Sequence, residues 1–345
     1  MRIPGLGRAR LIVRNVRDGF SRKAAILTYH RVADAACDPW ELCVSPENFA
    51  AQMQVLQRYR SVFHLDEIVS VIRSGGRLPP KACVVTFDDG YADNLYAAEP
   101  LLAAHRIPAT IFMTSGSVGR AREFWWDELE KVFLQPGKLP RELRLRIDSQ
   151  DHHWELYGGT DYTDAAFRLH RDWREEDAKP PTDRQRIYHS VYYLLQQLPR
   201  ETRDPIIDEI VDWAGASRAV RPTHRALTSE EAQQLTGSQW ITIGAHTVTH
   251  QSLSRPPAAV QREEIAGSKA QLEQLLGIKV NTFSYPYGQH TDLTTEIVEE
   301  AGFTCACACL EKSATIHSPL YRLPRLMVRN WNAELFERRL ASWLV

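Results

Sequence analysis

The strongest constraint on the fold is the run Cys83-Val84-Val85-Thr86-Phe87-Asp88-Asp89-Gly90. A short apolar, β-branched stretch stops abruptly at two carboxylates and a glycine. That is the pattern of a buried strand whose C-terminal end carries Asp88 and Asp89 to a surface. In parallel α/β sheets, open or barrelled, chemistry collects at that end of the strands. Neighbouring side chains on an extended segment diverge, so one carboxylate is free to bind a metal while the other faces a substrate.

A second stretch complements the first. Trp240 to Ala245 is again a β-former run, followed by His246-Thr247-Val248-Thr249-His250. If a helical turn begins after the strand, the two histidines at i and i+4 share one face. Two neutral imidazoles and one carboxylate make a three-ligand site with open positions, the way catalytic zinc is held. The donor set suits Zn2+, and also Co2+, Ni2+ or Fe2+.

The totals bound the setting. The chain has 345 residues, long enough for a single α/β barrel. Its net charge of −1 predicts neither a nucleic-acid partner nor long-range steering. No apolar run reaches the roughly 18 residues of a membrane span, and the N-terminus lacks a continuous apolar export segment. A cytoplasmic protein with reduced thiols is the expectation. Cys305, Cys307 and Cys309 alternate with alanines and so share one strand face. They read as small buried hydrophobes inside a barrel rather than as a thiolate cluster.

Along the chain, residues 1–23 are basic, with Ile12, Val13, Val16 and Phe20 at helical spacing. Such a segment is suited to peripheral contact with an anionic membrane, or is a docked terminal helix with a solvated face. Ala24 to Tyr29 is strand-like and places His30 at a strand end like that of Asp88. Strand, helix and strand around Asp88 form a βαβ unit and a parallel sheet. Residues 120–225 read as a mostly helical insertion opening with Trp125-Trp126-Asp127, whose rings are either sugar-stacking platforms or the insertion's apolar anchor.

Thr86-Phe87-Asp88-Asp89-Gly90 followed by His246-Thr247-Val248-Thr249-His250 resembles the polysaccharide deacetylases, the NodB-homology or carbohydrate esterase family 4 enzymes. The resemblance covers residues 24–119 and 226–328 and implies a distorted (β/α)7-type barrel. It implies a metal-dependent hydrolase that removes an acetyl or formyl group from an amidosugar. By motif position Asp88 matches the family's base. Asp89, His246 and His250 match its metal ligands, and Thr247 the hydroxyl that braces their loop. Tyr287, in Pro286-Tyr287-Gly288, matches the backbone oxyanion donor.

The chain departs from the family in three ways. Its histidine motif lies 157 positions after Asp89, much further than usual, which is why an insertion is inferred. Ser284 stands where an arginine normally braces the catalytic aspartate. Arg325 stands where Leu-x-His normally supplies the acid, and guanidinium is a poor proton donor. Arg325 is then expected to pair with Asp88 in place of the lost arginine, leaving His30, Asp88 itself or water as proton donor. The implied substrate is an N-acylated sugar of a polysaccharide or a lipid-linked precursor. An amidase or esterase acting on a non-sugar, or a retired carbohydrate-binding protein, remains as the alternative.

Overall fold

The computed structural model describes residues 22–158, 160–177 and 179–345; the expected basic helix of residues 1–23 therefore lies almost wholly outside the described residues. Eight short parallel strands build the central sheet: β1 (Ala24–Tyr29), β2 (Ala82–Phe87), β3 (Ala109–Met113), β4 (Ile241–Ala245), β5 (Thr282–Ser284), β6 (Cys305–Ala308), β7 (Leu323–Pro324) and β8 (Leu326–Met327). Their order is β7-β6-β5-β4-β3-β2-β1-β8. The two outer strands are consecutive pieces of one segment. Cys307 pairs with Leu323 on one side of it, and Leu27 pairs with Leu326 on the other. The sheet thus returns on itself as a nearly closed barrel of seven positions, with Arg325 at the seam.

Alternation along the strands sorts the side chains into two cores. Ile26, Val84, Phe112, Cys307 and Leu323 belong to one buried cluster. Phe112 on β3 and Leu323 on β7 lie far apart in strand order, so they meet only across the barrel's interior. Helix α1 (Pro46–Tyr59) is capped by Ser45, whose hydroxyl accepts from the Asn48 N–H at 3.2 Å, with Pro46 in its first turn. Helix α2 (Leu65–Arg73) buries Leu65, Ile68, Val69 and Ile72 against the inner cluster and so plugs the barrel. The outward residues Leu27, Val85 and Ile111 join the larger core under α1, α3 (Glu99–His105) and the later helices.

The chain leaves this body near Glu123 and returns at Arg225, and these two residues form an antiparallel bridge. Arg221 Nε and Nη2 donate to Glu123 Oε2 at 3.0 and 2.8 Å, and its Nη1 donates to Glu130 at 2.6 Å. Between lie α4 (Trp125–Phe133), α5 (Asp164–His170), α6 (Asp183–Gln196) and α7 (Arg200–Ala214). They enclose a core of their own, including Trp125, Leu129, Tyr188 and Ile210. A hairpin, Glu142–Ile147 with Gln150–Glu155, accompanies the helices; its alternating Leu143, Leu145 and Ile147 face that core. The chain then continues through α8 (Ser229–Thr236), α9 (Ala258–Leu276), α10 (Asp292–Glu300) and α11 (Ala333–Trp343). A capping box between Thr228 and Glu231 starts α8. Among the described residues no helix is long and apolar enough to cross a membrane.

Candidate active site

The C-terminal ends of the barrel strands converge on one centre. Beyond β2 the backbone turns sharply, with Asp89 at φ 75° and Gly90 at φ 83°. That turn sends the two adjacent carboxylates to different neighbours. Asp89 meets the histidines: its Oδ1 lies 3.2 Å from His250 Nε2 and 3.6 Å from His246 Nε2. One ligand atom from each of the three residues lies within 4.8 Å of the others. The expected helical turn between the histidines is not what joins them. Thr247 and His250 adopt left-handed φ values of 63° and 57°, so a tight loop brings the rings face to edge, 4.9 Å apart. The Thr247 hydroxyl accepts the His250 N–H at 3.0 Å. Glu264 of α9 accepts from Val248 N–H and Thr249 N–H at 3.0 and 2.9 Å and completes the brace.

These residues fit a divalent cation. Asp89 Oδ1 is buried and has no hydrogen-bond partner, an unstable condition for a carboxylate unless a cation faces it. The Nδ1 of His246 lies 2.8 Å from the Ser284 carbonyl, an acceptor only, so that nitrogen carries the proton and Nε2 presents its lone pair. The Nδ1 of His250 is 3.1 Å from the Tyr287 hydroxyl. Burial pushes His246 down to about 4 and His250 down to about 3, the latter helped by Arg203. Both rings are therefore neutral, as ligands must be.

Asp88 faces the other way. Arg325 Nη1 and Nη2 donate to its two oxygens at 2.7 and 2.6 Å, a bidentate pair, and Nη2 also reaches Ser284 Oγ at 2.8 Å. Burial alone would raise the Asp88 carboxyl, but the guanidinium outweighs it and holds Asp88 well below the usual carboxylate range. Arg325 thus makes the pair with Asp88 that was expected of it, and reaches Ser284 as well.

The centre opens into a cavity of about 310 Å³, lined by His30, Trp126 and Tyr287 among others. His30 follows directly on β1, and its Nδ1 is buried without a partner. Burial lowers its pKa, against the raising pull of Asp89 and Asp88. Tyr287 sits in the turn Pro286–Gly288 at φ 58°. The two tryptophans split their roles. Trp126 lines the cavity, its ring 4.7 Å from that of His250, while its Nε1 donates to the Tyr91 hydroxyl at 2.7 Å. Trp125 stands behind it, against Tyr192 and beneath the Arg203 guanidinium, as an anchor of the insertion. Asp127 is also outside the cavity, accepting the Tyr91 hydroxyl at 2.7 Å. Burial pushes its carboxyl up to about 8, and a helix-first-turn position pointing into the insertion's core is the reason it misses the substrate space.

Cys309 departs from the sequence expectation. Cys305 and Cys307 are buried on β6, but Cys309 lies past the strand's end and is exposed on the cavity wall. Trp40, Tyr192, Glu175 and Arg329 also line the cavity and were not singled out in the sequence. No local motif marks them; they meet only because the insertion folds back over the barrel.

A parallel α/β barrel with a carboxylate–imidazole centre at the carboxyl ends of its strands is thus the class this chain falls into. The profile of the family described as polysaccharide deacetylase matches residues 75–156 and 210–306, just over half of the chain, and the chain belongs to that family. The match holds Asp88, Asp89, His246, His250 and Tyr287, whereas His30 and Arg325 lie outside it. YxkH of Bacillus subtilis (strain 168), named as a polysaccharide deacetylase, is 30% identical over 111 residues. That alignment covers 32% of this chain and 38% of YxkH, so the chain spans well under half the length of this curated relative. Among solved structures, the Streptococcus pyogenes deacetylase PplD in complex with acetate has a TM-score of 0.56 at 16% identity, covering 94% of this chain and 98% of that one. IcaB from Ammonifex degensii has a TM-score of 0.56 at 18% identity, covering 94% and 97%. At such identities these are likenesses of fold.

Proposed function

We propose that the protein is a metal-dependent hydrolase that removes an N-acyl group, acetyl or formyl, from an amidosugar of a polysaccharide or lipid-linked glycan precursor. The observation that carries this reading is the convergence of Asp89, His246 and His250 around an unsatisfied carboxylate oxygen, beside an Asp88 clamped by Arg325. Family membership supports the amidosugar as substrate class.

A divalent cation held by Asp89, His246 and His250 would polarise the amide carbonyl and acidify a water. Asp88 stays ionised and oriented by its two bonds to Arg325, and takes the proton of the attacking water. Its depressed basicity keeps the carboxylate free at neutral pH and makes it a weak base, so orientation carries more of its contribution than proton affinity. The Tyr287 backbone N–H offers a donor to the oxyanion. His30 faces the same space with an unpartnered nitrogen; neutral at rest, it accepts the proton that Asp88 has taken from the water and passes it to the leaving amine. Trp126 presents an apolar ring beside His250 against which a sugar can rest. A cytoplasmic precursor pool, reached through the basic segment 1–23 at a membrane surface, is the setting this reading favours.

The test is release of acetate or formate from a panel of N-acylated sugars, free, nucleotide-linked and lipid-linked, with and without a chelator. Release should require the metal. It should fall about 10²–10⁴-fold in Asp88→Asn and in His30→Ala, as expected for lost proton transfer. Stoichiometric metal binding with no release from any sugar would transfer the assignment to a non-sugar amidase or a binding protein. A full-strength His30→Ala enzyme would remove His30 as the donor.

A further inference from the structure

Accepting the amidosugar reading above, we infer that the centre takes a single amidosugar end-on, as a free unit or the terminal unit of a glycan, and not a unit inside a chain lying across the barrel. An internal unit needs a groove open on two sides, because chain must enter and leave. Here one side is walled. The loop after β1 carries Trp40, whose ring lies 3.9 Å from that of Tyr192 on α6 and whose Nε1 donates to Tyr188 at 2.6 Å. The Glu175 N–H of the insertion donates to the Pro39 carbonyl of the same loop at 2.8 Å. Beyond β8, Arg329 joins the two, reaching Glu41 at 2.6 Å and Glu176 at 2.7 Å.

Pro39, Trp40, Glu41, Glu175, Glu176 and Arg329 all line the cavity that holds Asp89 and the histidines. Their contacts with one another therefore form its wall and do not merely flank it. Packed aromatic rings, a main-chain hydrogen bond and ion pairs hold loop, insertion and barrel segment together there. The space beside this wall, about 310 Å³, sits at the lower end of the range of about 300–1,000 Å³ typical of small-molecule sites. A site of that size suits one sugar ring with its acyl arm, and the wall stands where a continuing polymer would have to leave. The insertion is thus a specificity element that converts a barrel-mouth groove into a socket.

The experiment uses the full-length metal-loaded protein with β-1,4- and β-1,6-linked N-acetylglucosamine pentasaccharides. Saturation-transfer NMR reads which acetyl groups touch the protein, and tandem mass spectrometry reads which unit loses its acetyl group. The expected result is saturation and deacetylation at one end unit, at least fivefold above the central units. Equal or greater signal at central units would overturn the inference and leave the amidosugar reading standing. End-on saturation without hydrolysis would uphold the socket and overturn the hydrolase reading, and no binding of either pentasaccharide would overturn both. Trp40→Ala, which removes the aromatic part of the wall, should lower the end-unit preference at least threefold. An unchanged preference in that variant would overturn the role given to the wall.

Discussion

Arg325 is the residue on which the sequence reading and the structure meet most informatively. A histidine was missing at one motif and an arginine at another, and a guanidinium near the carboxylate end of the sheet is the simplest way to reconcile the two. Its side chain is almost wholly buried, so the pair with Asp88 stands or falls as a unit. Removing one member of a buried pair leaves an uncompensated charge, worth about 3–5 kcal/mol. Arg325→Met should therefore destabilise the protein by about that amount in denaturant unfolding. Adding Asp88→Asn should restore most of the stability and none of the activity. If the single variant lost activity with unchanged stability, the pair would not be the brace described above. Asp88 and Asp89 were legible because two carboxylates at a strand end have few structural uses. Cys309 was misplaced because strand alternation does not reveal where a strand stops.

Among the elements, the first turn of α7 does more than pack. Arg200 Nη1 donates to the Gly116 carbonyl at 2.9 Å, and Arg203 Nη2 to the Thr249 carbonyl at 3.1 Å, one residue before His250. Arg203 is buried, with Nε and Nη1 lacking hydrogen-bond partners. An arginine so poorly satisfied costs stability, which indicates that it is kept for where it holds the histidine loop. Arg203→Met should leave metal-free thermal stability equal or raised. It should weaken metal binding about tenfold in a chelator-competition titration, the scale of second-shell losses at metal sites. Lower stability with unaltered metal affinity would make Arg203 a packing residue only. The sequence marked residues 120–225 as mostly helical without giving the bounds of α5 or α7. The hairpin Glu142–Glu155 was not read, although Leu143, Leu145 and Ile147 alternate with charged residues, because two short strands inside a charged stretch compete poorly with the helical pattern around them. The left-handed backbone at Thr247 and His250 was equally hidden, since a β-branched Thr rarely adopts it and His, though enriched there, does so in only a small minority of cases.

At the scale of the whole molecule, parallel strands and the rim location of the centre followed from apolar runs ending in polar residues. The walls of the cavity did not, because they join residues more than a hundred positions apart. The barrel is tightly packed where the histidine strand crosses it. A Cβ built on Gly244 would lie 2.4 Å from Phe112 Cδ1 and 2.7 Å from Thr282 Oγ1, atoms of both neighbouring strands. Gly244→Ala should cost about 1–3 kcal/mol through overpacking, seen as a lower thermal midpoint. An unchanged midpoint would mean that the strands part more easily than this packing implies.

The seam at residues 323–327 has a temporal meaning as well. Leu323 joins β6 and Leu326 joins β1, while the guanidinium between them reaches Asp88. A ribosome delivering this chain in order holds an open, curling sheet until that short segment has cleared the exit tunnel. The first strand must wait for the last, and the aspartate spoken for at position 88 stays unclasped for 237 further residues. Nascent chains arrested before the seam would carry every histidine and carboxylate of the centre and still lack a finished one.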